Sequence, residues 1–487
     1  MEFFFALVPI LMFGFWIGFL DYFSSQLSPA AIVCAAVLFA LLACAPALLS
    51  RRRGGSRLLR RLSPCRRGAL PFSRAAGLLL LLFLIPRIAW WILTAPEMIS
   101  DYQLYVSQGR HVAETGRLRM EPYLVAIAPN ITVFSTLLGG LFTLFGAPEL
   151  TARVFVLLLH AGCVLLLFGV GRRLLSFPRA FAAAAAFALL PENVFYSLLP
   201  GIEALSLFTL LLGLLLLLLL PGRRFPVQLA LAVSGGLSLA FSASVRPNAW
   251  AAVCAALLWL ALKRRAFSAR RLAVLLGALA AGLVFCLLGH QAFQHSVFTE
   301  EKPAGGLGWP LYEGLDLESG GRWTQEKSAY CISVIESHSA KEADRLFLSG
   351  ALERFRGYTF FEKVRMFLRK GGALWYENNY STVGVGPPDS DFVQTANRAA
   401  GISWTAALLL WISLMLFRLK RRLPDDRRAG CALCLTVILL TALWHEFGTS
   451  INRYHYMLIP FVLLMTAHLF PSVPVRTAGS DRSDPAS

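Results

Sequence analysis

The chain has 487 residues, 56% of them hydrophobic, with 46 Lys and Arg against 28 Asp and Glu and a net charge of +18. A mean hydropathy of +0.60 excludes a water-soluble globular domain. The positive charge falls in short runs between apolar stretches and forms no continuous basic face, which excludes nucleic acid as its partner. Of the nine cysteines only Cys331 lies in the large outer segment described below, so an internal disulfide framework is excluded too.

A membrane crossing takes about 20 apolar residues for ~30 Å of hydrocarbon. In chain order, segments 3–20 and 30–49 form an N-terminal membrane hairpin (1–50), the first read as a retained span because no small-residue cleavage site follows it. The loop 51–74 carries Arg51, Arg52, Arg53, Arg57, Arg60, Arg61, Arg66 and Arg67, and the positive-inside rule makes it cytoplasmic. Segment 75–93 then exits, and Asp101 emerges on the opposite face in a first outer loop (96–150). Segment 131–146 is short and interrupted by Gly139 and Gly140; reading it as an interfacial or re-entrant helix keeps every later basic cluster inside. Crossings follow at 151–170, 179–199, 202–220, 227–243, 248–262 and 272–290, completing a membrane core over 75–290. An outer segment (291–400) has helical patterns near 340–356 and 359–370, with Phe347, Leu348, Leu352 and Phe355 as an apolar stripe, and is expected to form a small cap. Crossings at 402–417, 431–445 and 455–470 make up a C-terminal membrane region (401–470), ahead of a polar cytoplasmic tail (471–487). The expected fold is an all-α polytopic membrane protein of about twelve transmembrane helices with interfacial helices in its first outer loop. Cys431 and Cys434 make a CxxC without a second pair, and read as small packing residues.

Three features converge on the outer face. Asp101 stands at the start of an amphipathic helix, with Tyr105 and Gln108 on its face and Val106, Gly109 and Ala113 on another. Its carboxylate suits general-base work; the alternative is that Ser100 or Asp101 only caps the helix. Glu203 opens an apolar crossing, where a carboxylate costs a few kcal/mol unless paired, while Glu192 reads as an exposed interface residue. Arg246 and Arg453 stand at outer turns against the prevailing sidedness, which suits phosphate binding by the guanidinium fork. An internal pair of Arg453 with Glu446 is the alternative.

The order of these features resembles the GT-C glycosyltransferase superfamily, in particular its protein O-mannosyltransferase and aminoarabinose-transferase-like branch (family 39-like in bacteria). The resemblance covers roughly residues 75–262 with further echoes near the C-terminus. It rests on Asp101-Tyr102 with Tyr105 and Gly109, on Leu144-Phe145-Gly146 with Ala152-Arg153, and on Gly171-Arg172-Arg173-Leu174. Pro191, Tyr196-Ser197 and Glu203 follow, then Val245-Arg246-Pro247, and finally Glu446, Arg453-Tyr454 and Pro460. It implies a GT-C type fold and a hexosyl or pentosyl transferase of the bacterial cell membrane, with its active site on the extracytoplasmic face. The sugar donor would be linked to a polyprenyl phosphate, the acceptor hydroxyl would belong to a protein, lipid or envelope polymer, and transfer would invert the anomeric carbon. Asp101 takes the position of the family's acidic residue, with Tyr102, Tyr105, Glu203, Arg246, Arg453, Tyr454 and His455 as the substrate-binding set. Asp101 and Glu203 could share a divalent metal ion, though no His/Cys ligand spacing supports one; no other cofactor is implied. The sequence departs from the family in having one acid in Ser100-Asp101-Tyr102, where the family often shows a pair, and in an extra N-terminal hairpin. A transporter or flippase for lipid-linked sugars, and a polymerase- or ligase-like protein, are the competing classes; the concentration of polar residues at outer helix ends favours the transferase.

Overall fold

A computed structural model describes residues 72–94, 96–119, 131–297, 306–375, 425–449 and 452–467. The hairpin within 1–50, the basic loop up to residue 71, the crossing at 402–417 and the tail lie outside the described residues, within which every element is helical. In order these are α1 (Phe72–Thr94), α2 (Asp101–Thr115), α3 (Ile131–Phe145), α4 (Pro148–Leu174), α5 (Phe177–Leu189), α6 (Pro191–Tyr196), α7 (Ile202–Leu218), α8 (Phe225–Val245) and α9 (Trp250–Leu262). Then come α10 (Ala269–Val297), α11 (Gly308–Gly314), α12 (Gln325–Ser337), α13 (Ala340–Gly357), α14 (Phe360–Trp375), α15 (Asp425–Phe447) and α16 (Ile459–Thr466), with a 3-10 segment Asn452–Met457 before the last.

Among the described residues five helical stretches are long and apolar enough to cross a membrane: Phe72–Ile92, Pro148–Leu174, Phe225–Val245, Ala269–Phe293 and Ala429–Phe447. They coincide with expected crossings. Ile131–Phe145, Phe177–Leu189, Ile202–Leu218 and Pro247–Leu262 are apolar but shorter. The stretch 179–199, read from sequence as one crossing, is two helices. At ~1.5 Å per residue, the 13-residue α5 falls well short of ~30 Å.

The break between them has identifiable causes. Pro191 has no N–H to continue α5 and opens α6, where a missing donor costs nothing. The carbonyls left at the end of α5 are satisfied from elsewhere: Asn193 Nδ2 donates to Phe187 O (2.6 Å) and Arg87 Nη1 donates to Ala188 O (2.8 Å). Arg87 reaches there from the interior of α1, lying over the Phe83 ring at 3.7 Å. A buried cation inside an apolar helix thus closes the end of its neighbour.

Two crossings depend on glycine. A Cβ on Gly236 of α8 would stand 2.3 Å from Leu279 O, and one on Gly282 of α10 would stand 2.3 Å from Val233 O, so these helices meet backbone to backbone. Similarly a Cβ on Gly139 of α3 would lie 2.5 Å from Val112 Cγ1 and 2.9 Å from Gly109 O, which seats α2 on α3. Beneath α2, Tyr102, Tyr105 and Val106 join Phe134, Leu138 and Phe142 in one apolar cluster.

Helices α11–α14 form a polar layer with small cores of their own, Trp309, Cys331, Val334, Ala343 and Phe347 in one and Leu315, Ala351 and Met366 in the other. Ser339 and Glu342 form a capping box that starts α13. The expected apolar stripe divides: Phe347 is buried, whereas Leu352 is 40% exposed. Lys370 of α14 fixes this layer to the end of α15, donating to Gly314 O (2.6 Å) and Gly448 O (2.7 Å). Gly314 packs so closely on Phe447 and Gly448 that a Cβ would come within 2.4 Å of either backbone.

Candidate active site

The first turn of α2 begins at Ser100, a non-glycine residue in the positive-φ region (φ 57°). Its side chain makes no cap hydrogen bond; the amides of Gln103 and Leu104 bond to its carbonyl. Asp101 does not cap the helix in place of Ser100. Its Oδ2 lies 2.6 Å from Arg453 Nη1. The Asp101 side chain is 36% exposed and that of Arg453 10%, so the carboxylate forms the open edge of the contact.

The other charges continue inward. Glu203, in the first turn of α7, accepts from Arg246 Nη2 and lies 3.7 Å from Arg453 Nε through the same Oε1. Arg246 follows directly on α8, with its backbone N–H bonded to Ser242 O (2.8 Å). Four groups of zero net charge therefore run in one chain, Asp101–Arg453–Glu203–Arg246, buried except at the Asp101 end. Burial pulls the Arg453 guanidinium down and Asp101, with Tyr105, Tyr454 and Glu203, more than offsets it, so its affinity for a proton ends well above the ordinary value. Arg246 is likewise lowered by burial and raised by Glu203, with a net rise. In place of the pairing of Arg453 with Glu446 expected as an alternative, Arg453 meets Asp101 and Glu203.

Aromatic groups surround the chain. Tyr454 stacks on His445 (centroids 4.5 Å apart) and receives the Arg246 and Arg453 guanidinium carbons at 5.2 and 5.7 Å from its ring. His445 Nε2 meets Asn248 Nδ2 at 3.2 Å. Tyr102 and Tyr105 are both buried on one face of α2 together with Val106 and Gly109, which merges the two faces read from the sequence. Gly201 permits the approach of Tyr102 to Glu203: a Cβ there would stand 2.5 Å from Glu203 Oε2 and 3.2 Å from Tyr102 Cε1. The Tyr102 hydroxyl is buried without a hydrogen-bond partner. Burial first, then Glu203, pushes the Tyr102 phenol up; burial and then Asp101 do the same for Tyr105, so both are neutral donors.

His455 stands behind this arrangement. Its Nδ1 lies 2.6 Å from Leu374 O and its Nε2 2.9 Å from Glu192 Oε2. Trp375 stacks on the ring at 5.6 Å. Both nitrogens are occupied by protein, which leaves none directed at a substrate. Glu192 is buried, and the expectation of an exposed interface residue is overturned: the turn at Pro191 aims α6 into the bundle. Sequence reasoning also passed over Asn193, Arg87 and Lys370. The available signal was the cost of placing charged groups in apolar surroundings without partners.

Among the described residues no group of three or more His, Cys, Asp or Glu converges as metal ligands. Asp101 and Glu203, the two carboxylates that the sequence left open as sharers of an ion, are bridged by the Arg453 guanidinium. A cation already fills that place, and the residues do not fit a shared metal.

No protein-family profile matches the sequence, and no curated protein matches it. Among solved structures, the chain is similar to ArnT from Cupriavidus metallidurans bound to undecaprenyl phosphate, at 13% identity and a TM-score of 0.34, over 81% of this chain and 77% of that one. It is also similar to the archaeal oligosaccharyltransferase AglB from Archaeoglobus fulgidus in complex with an inhibitory peptide and a dolichol-phosphate, at 14% identity and a TM-score of 0.33, over 78% of this chain and 56% of that one. At these TM-scores the likeness does not fix a shared fold; what the site can do follows from its own side chains.

Proposed function

We propose that the protein is an integral membrane glycosyltransferase that moves a sugar from a polyprenyl-phosphate donor to an acceptor hydroxyl on the outer face of the cell membrane. The observation that carries this reading is the Asp101–Arg453 contact at 2.6 Å, an accessible carboxylate held by a buried guanidinium at the end of an ion chain. A phosphate is well suited to compete for that guanidinium, because the donor phosphodiester offers two charged oxygens to the fork where Asp101 offers one.

Engagement of Arg453 by the donor phosphate then releases Asp101. The freed carboxylate takes the proton of the acceptor hydroxyl, and the acceptor oxygen attacks the anomeric carbon as the bond to the phosphate oxygen breaks. Charge builds on the departing polyprenyl phosphate, and Arg453 and Arg246 stabilise it there in a site largely closed to water. A single displacement inverts the anomeric centre, and a phosphate leaves as a stable anion without a general acid. The Tyr102 hydroxyl, buried without a hydrogen-bond partner, is a donor that a sugar oxygen would satisfy. The prenyl chain lies along the apolar helices that flank the site.

The experiment is mass spectrometry of polyprenyl-phosphate sugars extracted from membranes carrying the wild type or Asp101→Asn. Consumption of one lipid-linked sugar by the wild type and its accumulation with the variant support the transferase. An unchanged pool in both overturns it in favour of a transporter.

A further inference from the structure

The polar layer α11–α14 and the ion chain meet at one short piece of backbone. Helix α14 grips it at two points: Lys370 holds Gly448 through its carbonyl (2.7 Å), and the Leu374 carbonyl faces His455 Nδ1 (2.6 Å). Arg453 lies between those two points in sequence, on the 3-10 segment Asn452–Met457. From the opposite side α6 holds the same segment with two consecutive residues. Glu192 faces His455 Nε2 at 2.9 Å, and Asn193 Oδ1 accepts from the Tyr456 hydroxyl at 2.5 Å.

The chemistry of His455 follows from these partners. A carbonyl oxygen only accepts, so Nδ1 carries a hydrogen. On the other side one proton lies between Nε2 and the Glu192 carboxylate. The imidazole is thereby fixed in orientation by two oxygen partners on two different elements, with both residues buried away from water. Such a charge-assisted bond is among the stronger ones available to a side chain, and it lies two residues from the guanidinium that holds Asp101.

We propose that His455 is a positioning residue that couples the seating of α14 and α6 to the placement of Arg453, so that loosening either arm is felt at the Asp101 site. The inference rests on the transferase reading for its consequence, that occupation of Arg453 by a lipid phosphate tightens the polar layer. The coupling itself stands on the contacts above. Its two arms are separable. His455→Asn keeps a donor where Nδ1 was and loses the reach to Glu192; His455→Gln keeps the reach to Glu192 and loses the bond to Leu374.

The test is hydrogen exchange on the full chain in lipid nanodiscs, without ligand and with undecaprenyl phosphate. Without ligand, His455→Gln is expected to speed exchange over residues 369–375 by about tenfold, the effect of losing one strong hydrogen bond. His455→Asn is expected to do so over residues 191–196. Both are expected to speed it over residues 101–109, which neither variant touches. Changes confined to residues 452–457, or none, overturn the proposal. Should either His455 variant fail to fold, Glu192→Gln replaces it; it keeps an acceptor and drops the charge, and faster exchange over 101–109 with wild-type protection of 369–375 is expected. With undecaprenyl phosphate, the wild type is expected to gain protection over 369–375 and His455→Gln to gain none there; equal protection in the variant overturns the coupling. If the lipid phosphate protects no segment of the wild type, the transferase reading fails, and the ligand-free comparison still decides the coupling.

Discussion

Asp101 and Arg453 touch through Oδ2 and Nη1 at 2.6 Å, which makes the most accessible carboxylate of the site a competitor for the ligand that the site is proposed to bind. Asp101→Asn keeps the shape of the side chain and removes the competing charge. Binding of undecaprenyl phosphate is expected to be at least as tight as in the wild type, while transfer falls by about 10²–10⁴-fold, the usual contribution of a general base. Titration calorimetry in nanodiscs and a turnover assay separate the two. Loss of binding together with activity would mean that Asp101 holds the site together instead of acting on the acceptor.

The inner pair behaves differently because it is enclosed. Glu203 and Arg246 are both buried and bonded to each other. Removal of one partner strands the other, so Arg246→Ala is expected to cost about 3–5 kcal/mol of stability. The double variant Glu203→Gln, Arg246→Met leaves no stranded charge and is expected to regain most of it, without regaining affinity for the lipid phosphate. Thermal melting and binding measured on the same preparations check both halves; recovery of affinity in the double variant would remove Arg246 from the phosphate site.

Gly139 and Gly140 are neighbours in sequence with opposite surroundings. A Cβ on Gly139 meets Val112 Cγ1 at 2.5 Å and the Gly109 carbonyl at 2.9 Å, whereas one on Gly140 meets nothing within 4 Å. Gly139→Ala is expected to cost about 1–3 kcal/mol through overpacking and to lower transfer further by lifting α2, which carries Asp101. Gly140→Ala is expected to change neither. Melting temperature and turnover of the pair provide the comparison, and equal effects would mean that the α2–α3 crossing does not position the site.

The charged core of the site was legible because an apolar background makes a charge at a helix mouth or an outer turn conspicuous. Glu203 at the mouth of an apolar helix, and Arg246 and Arg453 at turns where sidedness disfavours them, are the residues that the fold brings into one chain with Asp101. What could not be read was pairing across the bundle. Arg453 has Glu446 near it in sequence, yet it turns to Asp101, which α2 delivers from the other end of the described chain. Hydropathy also averages over a break: residues 179–199 are apolar enough to pass for one crossing. Only the partners of the exposed carbonyls, Arg87 from α1 and Asn193 from α6, show why the chain can turn there. That turn buries Glu192 against His455, a contact with no local signature.

Asp316 gives the polar layer a pH limit. Its Oδ2 accepts from the Ser319 N–H and from the Ser319 hydroxyl, each at 2.7 Å, and from Lys327; Oδ1 accepts from Arg354 at 3.2 Å. Burial alone would raise the carboxyl, but Lys327 and Ser319 outweigh it and hold it below the ordinary range. The unfolded chain, with an aspartate near ~3.9, therefore binds more protons than the folded one in the window just below that value. The stabilisation is complete above about pH 4 and is lost as the pH falls through the lower, folded value. Asp316→Asn lacks this contribution at every pH. The wild type is expected to melt above the variant at pH 6, with the gap closing progressively below about pH 4. A gap that stays constant down to pH 3 would show that hydrogen bonding by an uncharged side chain, and not the carboxylate, holds Ser319, Lys327 and Arg354 in place.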